Sequence, residues 1–305
     1  MLSKLSTQPD YNISSNHKVS RVRDYIRLFK PGVMSLVVFS GLAGLLVAPG
    51  QIHPFIAFIA ILCIAIGSGA SGAINMWYDQ DIDRIMKRTQ MRPIPQGLIT
   101  PESALEFGVC TAFLSVFLMA IVVNYTAAIL LLSAILFYVF IYTLWLKRVT
   151  PQNIVIGGAA GSFPPMIGWA AVTNNIAIES IILFTIIFMW TPPHFWALAL
   201  YRSEDYQKAH VPMLPVTNGI KSTKIHIFTY SIIMLLTTLL PFFIHMSGLF
   251  YFGCALSSGV YFCILSFRLL RAKDILLAPK LFGYSIIYLF FIFTALIIDH
   301  YLINF

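Results

Sequence analysis

Apolar runs of about 20 residues recur along this chain from Pro31 to Ile303, and nothing else in it limits the fold so strongly. A bilayer offers no water to backbone N–H and C=O groups, so such runs must satisfy themselves as helices. Composition agrees: 58% of the 305 residues are hydrophobic and 10% are charged, against about a quarter charged in a soluble domain. The runs predict nine spans, near 31–49, 52–76, 104–123, 125–146, 152–172, 177–200, 225–245, 248–267 and 281–303. The expected fold is all-α, a polytopic membrane helical bundle of about nine transmembrane helices around a central cavity.

The basic residues test that count. Lys4, Lys18, Arg21, Arg23, Arg27 and Lys30 precede the first span, and Arg84, Lys87, Arg88 and Arg92 follow the second. Lys147 and Arg148 follow the fourth, Arg202, Lys208, Lys221 and Lys224 the sixth, and Arg268, Arg271, Lys273 and Lys280 the eighth. With nine spans, all 20 lysines and arginines therefore lie on one side. The positive-inside rule makes that side cytoplasmic, with the N-terminus inside and the C-terminus outside. The net charge of +8 follows from this topology, so no nucleic-acid partner is expected, only membrane lipid.

Cys63, Cys110, Cys254 and Cys263 are scattered in apolar segments without metal-ligand spacing and read as small buried hydrophobes. Residues 1–29 are polar and read as a cytoplasmic N-terminal segment rather than a cleaved signal. Asp10 and Asp24 in that leader argue against a mitochondrial transit peptide and for a bacterial inner membrane. Residues 30–305 read as a single intramembrane domain. Two long, charged, Pro-punctuated cytoplasmic loops, after spans two and six, divide it into related halves of about 30–150 and 151–305. Span five, with Gly157, Gly158, Gly161, Pro164 and Pro165, is either a tightly packed kinked helix or a cavity wall.

The first long loop opens on Asn75-Met-Trp-Tyr-Asp79-Gln-Asp81-Ile-Asp83-Arg84, a cluster of acids in a chain with only 12. Positions 75, 79 and 83 share one helical face, and Asp81 points off it. A solvated acidic loop is disfavoured by the adjacent Trp77 and Tyr78. An EF-hand fails because Arg84 and Gln90 stand where a turn glycine and a bidentate Glu belong. A transport site would place its acids nearer the bilayer midplane. A site for Mg²⁺ and a diphosphate explains the neighbours best. Mg²⁺ bridges carboxylate and phosphate oxygens, and Arg84, Lys87, Arg88 and Arg92 neutralise the remaining charge, with Thr89 as a donor. Arg202 and Lys208, beside Glu204 and Asp205, are placed to close the site from the other half, with Asp205 as a further metal ligand. An allylic diphosphate suits this setting, because its tail partitions into lipid and aromatic faces stabilise the allylic cation. Trp77, Tyr78, Tyr138, Tyr142, Trp145, Trp190, Phe195 and Trp196 supply such faces, or form an interfacial belt. His194, within Trp190-Thr-Pro-Pro-His-Phe-Trp196, is either a hydrogen-bonded structural histidine or a functional one, in haem contact or proton handling.

The Asn75-x-x-x-Asp79-x-x-x-Asp83 pattern resembles the first aspartate-rich motif of the UbiA-type intramembrane prenyltransferases. The longer stretch through Met86-Lys87-Arg88-Thr89-x-x-Arg92-Pro93, the His194 segment, Val211-Pro-Met-Leu-Pro-Val216 and Lys30-Pro31 resemble the members that farnesylate haem. The resemblance runs from about residue 22 to 303. It implies a nine-helix bundle whose cavity opens to the cytoplasm, farnesyl diphosphate and haem b as substrates, haem O as product, and Mg²⁺ as cofactor. It also implies haem A synthase or a terminal oxidase assembly as the recipient. By the same resemblance Asn75, Asp79 and Asp83 are the catalytic metal- and diphosphate-holding residues, Lys87, Arg88 and Arg92 support them, and His194 contacts haem. The second motif departs from the wider family: Tyr201-Arg-Ser-Glu204-Asp205-Tyr206 has fewer acids, which leaves a second protein-bound Mg²⁺ in doubt. That departure also speaks against the alternative acceptor, a quinone-ring precursor. His210 stands where this family often has glycine.

Overall fold

A computed structural model describes residues 20–303. Lys4, Asp10 and Lys18 of the leader lie outside the described residues. Those residues form helices α1 (Val22–Leu28), α2 (Pro31–Leu46), α3 (Pro54–Tyr78), α4 (Gln80–Ile85), α5 (Pro101–Val123), α6 (Tyr125–Val149) and α7 (Asn153–Thr173). They continue with α8 (Ile178–Tyr201), α9 (Ser203–Lys208), α10 (Leu214–Thr217), α11 (Gly219–Phe243), α12 (Leu249–Arg271) and α13 (Ala278–Ile303). Eight are long and apolar enough to cross a membrane by themselves, and α1 with α2, bent by 59°, makes a ninth. All nine expected runs thus appear as helices, and the chain is a multi-pass membrane protein.

Helix ends sit where the local chemistry puts them. Pro31, Pro54 and Pro101 occupy first-turn positions, where a missing N–H costs nothing. The Thr100 hydroxyl accepts from Ser103 N at 3.2 Å, and Asn124 Oδ1 accepts from Ala127 N at 2.8 Å. Asn124 also donates from Nδ2 to Ala170 O at 2.8 Å, so one side chain starts α6 and satisfies the end of α7.

The centre of the bundle is the crossing of α2 with α7. A Cβ on Gly44 would collide with the Pro165 carbonyl, and one on Gly168 with the Gly41 carbonyl. Small residues on both helices let their backbones touch, the usual source of helix adhesion in lipid. Pro164 and Pro165 therefore lie in a packed segment, whereas at Gly161 nothing lies within 4 Å of where a Cβ would be. Helix α7 packs further on α6 and α8, α3 on α5, and α11 on both α8 and α12. Helix α13 packs against α12, α8 and α2.

Two features shape the face that carries the long loops. Both long loops begin alike: α3 breaks at Asp79 and α8 at Arg202, each followed at once by a six-residue helix, α4 or α9. In addition, α5 and α6 carry π-helical segments, Met119–Val123 and Phe137–Leu146. The second widens the helix just before Lys147 and Arg148, and such π segments recur at functional sites.

Candidate active site

Asn75, Asp79 and Asp83 come together as the helical period predicts, although the helix is not continuous. The break at Asp79 preserves the register because Asp79 N still bonds to Asn75 O at 3.0 Å and Asp83 N to Asp79 O at 2.8 Å. All three side chains are buried, with Asp79 at 0% and Asp83 at 1% exposure. Buried carboxylates need partners, and each of these has found one. Asp83 receives Arg92 Nη1 on both oxygens, at 2.8 and 2.7 Å. Asp79 Oδ2 accepts from Asn75 Nδ2 at 2.6 Å and from Lys147 Nζ. Asn75 Oδ1 accepts from Lys30 Nζ at 2.7 Å, and its amide also reaches Thr143 Oγ1 at 3.3 Å.

In the sequence Lys30, Lys147 and Arg148 mark topology, and Lys30 also belongs to a motif; the structure brings all three into the site. Lys30 takes a left-handed backbone, φ 53° and ψ 60°, directly before a proline. A residue before proline ordinarily stays extended, so this is a strained turn. It makes the α1–α2 bend, and from there the ammonium reaches Asn75. Arg148 forms a two-pronged bridge to Asp81, at 2.7 and 2.8 Å, and donates to Tyr78 O at 3.0 Å. It also lies over the Tyr78 ring at 4.6 Å and 3.6 Å from Asp79 Oδ1. The Arg148 guanidinium holds the Asp81 carboxyl below the usual carboxylate range. A basic pair ending an aromatic-rich span next to an acid-rich loop was the available signal.

The other expected residues divide. Arg92 joins the site. Arg84, Lys87 and Lys208 are exposed, as is Arg202, whose guanidinium is 4.0 Å from Asp205. Asp205, buried at 7%, is the ion-pair partner of that Arg202. Among the described residues no three His, Cys, Asp or Glu side chains gather for a metal. Thr89 donates to the Asp83 carbonyl at 3.1 Å and so braces the loop from within. Arg88 is exposed and turns into a cleft beside Arg27.

His194 is 7% exposed, in the second half of α8. Its ring stacks between Trp190 at 4.2 Å and Phe282 at 4.6 Å, and its Nδ1 lies 2.6 Å from Ser285 Oγ. His210 has φ 53°. That left-handed backbone accounts for glycine being common there, since glycine alone adopts it without a Cβ penalty.

The donor set fits a hard divalent cation in one respect. Asp79 Oδ1 is buried without a hydrogen-bond partner, and the candidate ligand atoms, the carboxylates of Asp79 and Asp83 and the Asn75 amide oxygen, are oxygens. Mg²⁺ typically takes one or two carboxylates and leaves its other positions to water and phosphate. A buried acid pair ringed by Lys30, Arg92, Lys147 and Arg148 is the kind of site that receives a metal-bound diphosphate.

The chain belongs to the UbiA prenyltransferase family, which matches residues 37–295. Within that family its curated relatives are more particular. It is 54% identical to the protoheme IX farnesyltransferase of Parvibaculum lavamentivorans over 299 residues, covering 97% of this chain and 94% of that protein. It is likewise 54% identical to the protoheme IX farnesyltransferase of Rickettsia bellii over 278 residues, covering 91% and 93%. Among solved structures it resembles a digeranylgeranylglyceryl phosphate synthase, with a TM-score of 0.76 at 19% identity, covering 92% of this chain and 98% of that one. It also resembles a UbiA homolog from Archaeoglobus fulgidus bound to GPP and Mg²⁺, with a TM-score of 0.65 at 18% identity, covering 90% and 99%. At those identities the structures show a shared fold.

Proposed function

We propose that this protein transfers the farnesyl group of farnesyl diphosphate to a vinyl group of haem b, releasing diphosphate and giving haem O. One observation carries the reading: identity above one half with protoheme IX farnesyltransferases over nearly the whole chain. The buried acid site supports it independently. A UbiA homolog of the same fold was solved with Mg²⁺ and a prenyl diphosphate, which supports Mg²⁺ here as well.

When bound, Mg²⁺ supplies positive charge to the leaving diphosphate. Asp79 and Asp83 would hold it, and Asn75, fixed by Lys30 and Thr143, orients Asp79. Lys147, Arg92 and Lys30 already sit within hydrogen-bonding distance of these groups. Their charges would neutralise the diphosphate oxygens. The C1–O bond of the farnesyl group then breaks, and its electron pair leaves with diphosphate. Tyr138 and Tyr142, whose ring centroids lie 5.3 Å apart just before Thr143, offer their faces to the allylic cation. The vinyl carbon bonds to C1, water adds to the resulting cation, and one proton is lost. Preorganised charge accounts for most of such catalysis, and no covalent enzyme intermediate is needed.

We assign His194 to the haem side. Ser285 fixes its Nδ1, and Nε2 has no hydrogen-bond partner among the described residues. Haem O is consumed by haem A synthase or a terminal oxidase assembly. The basic-loop pattern and the bacterial relatives support a bacterial inner membrane, with the N-terminus cytoplasmic and the C-terminus periplasmic.

The test uses purified protein in detergent with Mg²⁺, labelled farnesyl diphosphate and haem b. Label in a haem product together with released diphosphate is expected. Diphosphate release without any labelled haem contradicts the acceptor, and no release at all contradicts the chemistry.

A further inference from the structure

Beside the acid site, on the far side of Lys30 and Arg92, a cleft of about 400 Å³ opens between the start of α2 and the loop after α4. Its lining is Arg27, Lys30, Arg88 and Arg92 with Pro31, Gly32, Val33, Met91 and Pro93, and contains no acid. The reaction as described does not use it. We propose that this cleft holds the propionate carboxylates of the haem acceptor, with Arg27 and Arg88 as their partners; the inference rests on the haem-farnesylating reading above.

Charge apportions the cations. Lys30, Lys147 and Arg92 are held by the Asn75–Asp79–Asp83 group and go with the diphosphate. Arg148 stays on Asp81. Arg27 and Arg88 remain. Arg27 donates to the Met91 carbonyl at 2.8 Å, which anchors α1 to the loop and fixes the guanidinium at the cleft wall. Its nearest acid, Asp24, is 3.8 Å away. Arg88 has no ion pair among the described residues and lines the cleft opposite the start of α2. Haem b carries a pair of propionates, matching two guanidinium groups at the cleft, one without an ion pair and one with only a 3.8 Å contact to Asp24, and guanidinium binds carboxylates in two-pronged fashion.

Shape points the same way. Val33 and Met91 are 64% and 60% exposed, and at Gly32 nothing lies within 4 Å of where a Cβ would be. Exposed apolar side chains beside arginines suit the edge of a porphyrin better than a hydrated phosphate. The propionates leave the ring on the side away from its vinyl edge. Holding them at the cytoplasmic surface directs the vinyls toward the bundle.

The experiment compares haem b with its dimethyl ester, in which the carboxylates are neutral. Binding of each is read from the haem absorbance for the detergent-purified wild type and for Arg27→Gln, Arg88→Gln and Arg88→Lys. Either Gln variant is expected to weaken haem b roughly tenfold, the loss of one charge-assisted contact. Neither should change ester affinity, Arg27→Gln should leave the KM for farnesyl diphosphate unchanged, and Arg88→Lys should recover part of the loss. A raised farnesyl diphosphate KM with unchanged haem affinity overturns the inference and gives the cleft to diphosphate. Equal losses for acid and ester, or no loss in either Gln variant, also overturn it. A wild type that farnesylates haem while the variants bind it normally removes this inference alone. A wild type that neither binds nor farnesylates haem removes the parent reading as well.

Discussion

At the residue scale the acid site is a set of buried charges held in balance, so neutralising one member is expected to stop the reaction without unfolding the protein. Asp79→Asn and Asp83→Asn should each abolish turnover while the protein inserts and elutes normally from a sizing column; full activity in either removes the metal assignment. Lys147→Gln should cut kcat at least tenfold, because it deletes a charge aimed at the leaving group; an unchanged kcat would make Lys147 only a counterion of the resting site. For His194→Ala, haem affinity should fall while the farnesyl diphosphate KM holds, and an unaltered haem spectrum would mark the ring as structural. His210→Gly should be active and no less stable, since a left-handed non-glycine costs about 1 kcal/mol; a lower melting temperature would contradict the backbone account. The Asn75–Asp83 face was legible in the sequence because helical periodicity is local. Lys30, Lys147 and Arg148 were not, because they arrive from 45, 68 and 67 residues away. Only the packing of α2, α3 and α6 brings them together.

At the element scale, close contacts between small residues and charged caps hold helices that lipid does not push together. Gly44 sits against the Pro165 backbone, and backbone cannot move aside as a flexible side chain can. Gly44→Val should therefore destabilise the α2–α7 crossing by about 1–3 kcal/mol, read as a lower melting temperature in detergent; an unchanged value would contradict the crossing. Helix α12 is capped from outside at both ends. Asp299, buried at 1%, accepts from Gly248 N and from Tyr251 N, the latter at 3.0 Å. Lys224 donates to the carbonyls of Ala272 and Asp274 at 2.9 and 2.6 Å. Each charge opposes the helix dipole at its end. The nine spans were legible from apolar run length, and the lysines and arginines gave their alternation. The break at Asp79, the π-helical stretch of α6 and these remote caps depend on neighbouring helices and leave no pattern in a single segment.

For the whole molecule, apolar spans whose basic residues alternate between loops build a bundle whose acid site gathers at one end, beside the two long loops. There, buried acids can be matched by cations drawn from loops and helix ends. The two long loops repeat a break followed by a short helix, but their chemistry differs. The first carries the paired acids, whereas the second contributes only Asp205, bridged to its own Arg202. That asymmetry is visible in the depleted second motif. In the second half, His194 lies between Trp190 and Phe282. The most direct measurement incubates the purified protein with Mg²⁺ and labelled farnesyl diphosphate, offering haem b and 4-hydroxybenzoate in parallel. The account predicts label in a farnesylated haem and none in the benzoate; label in the benzoate product alone would contradict it.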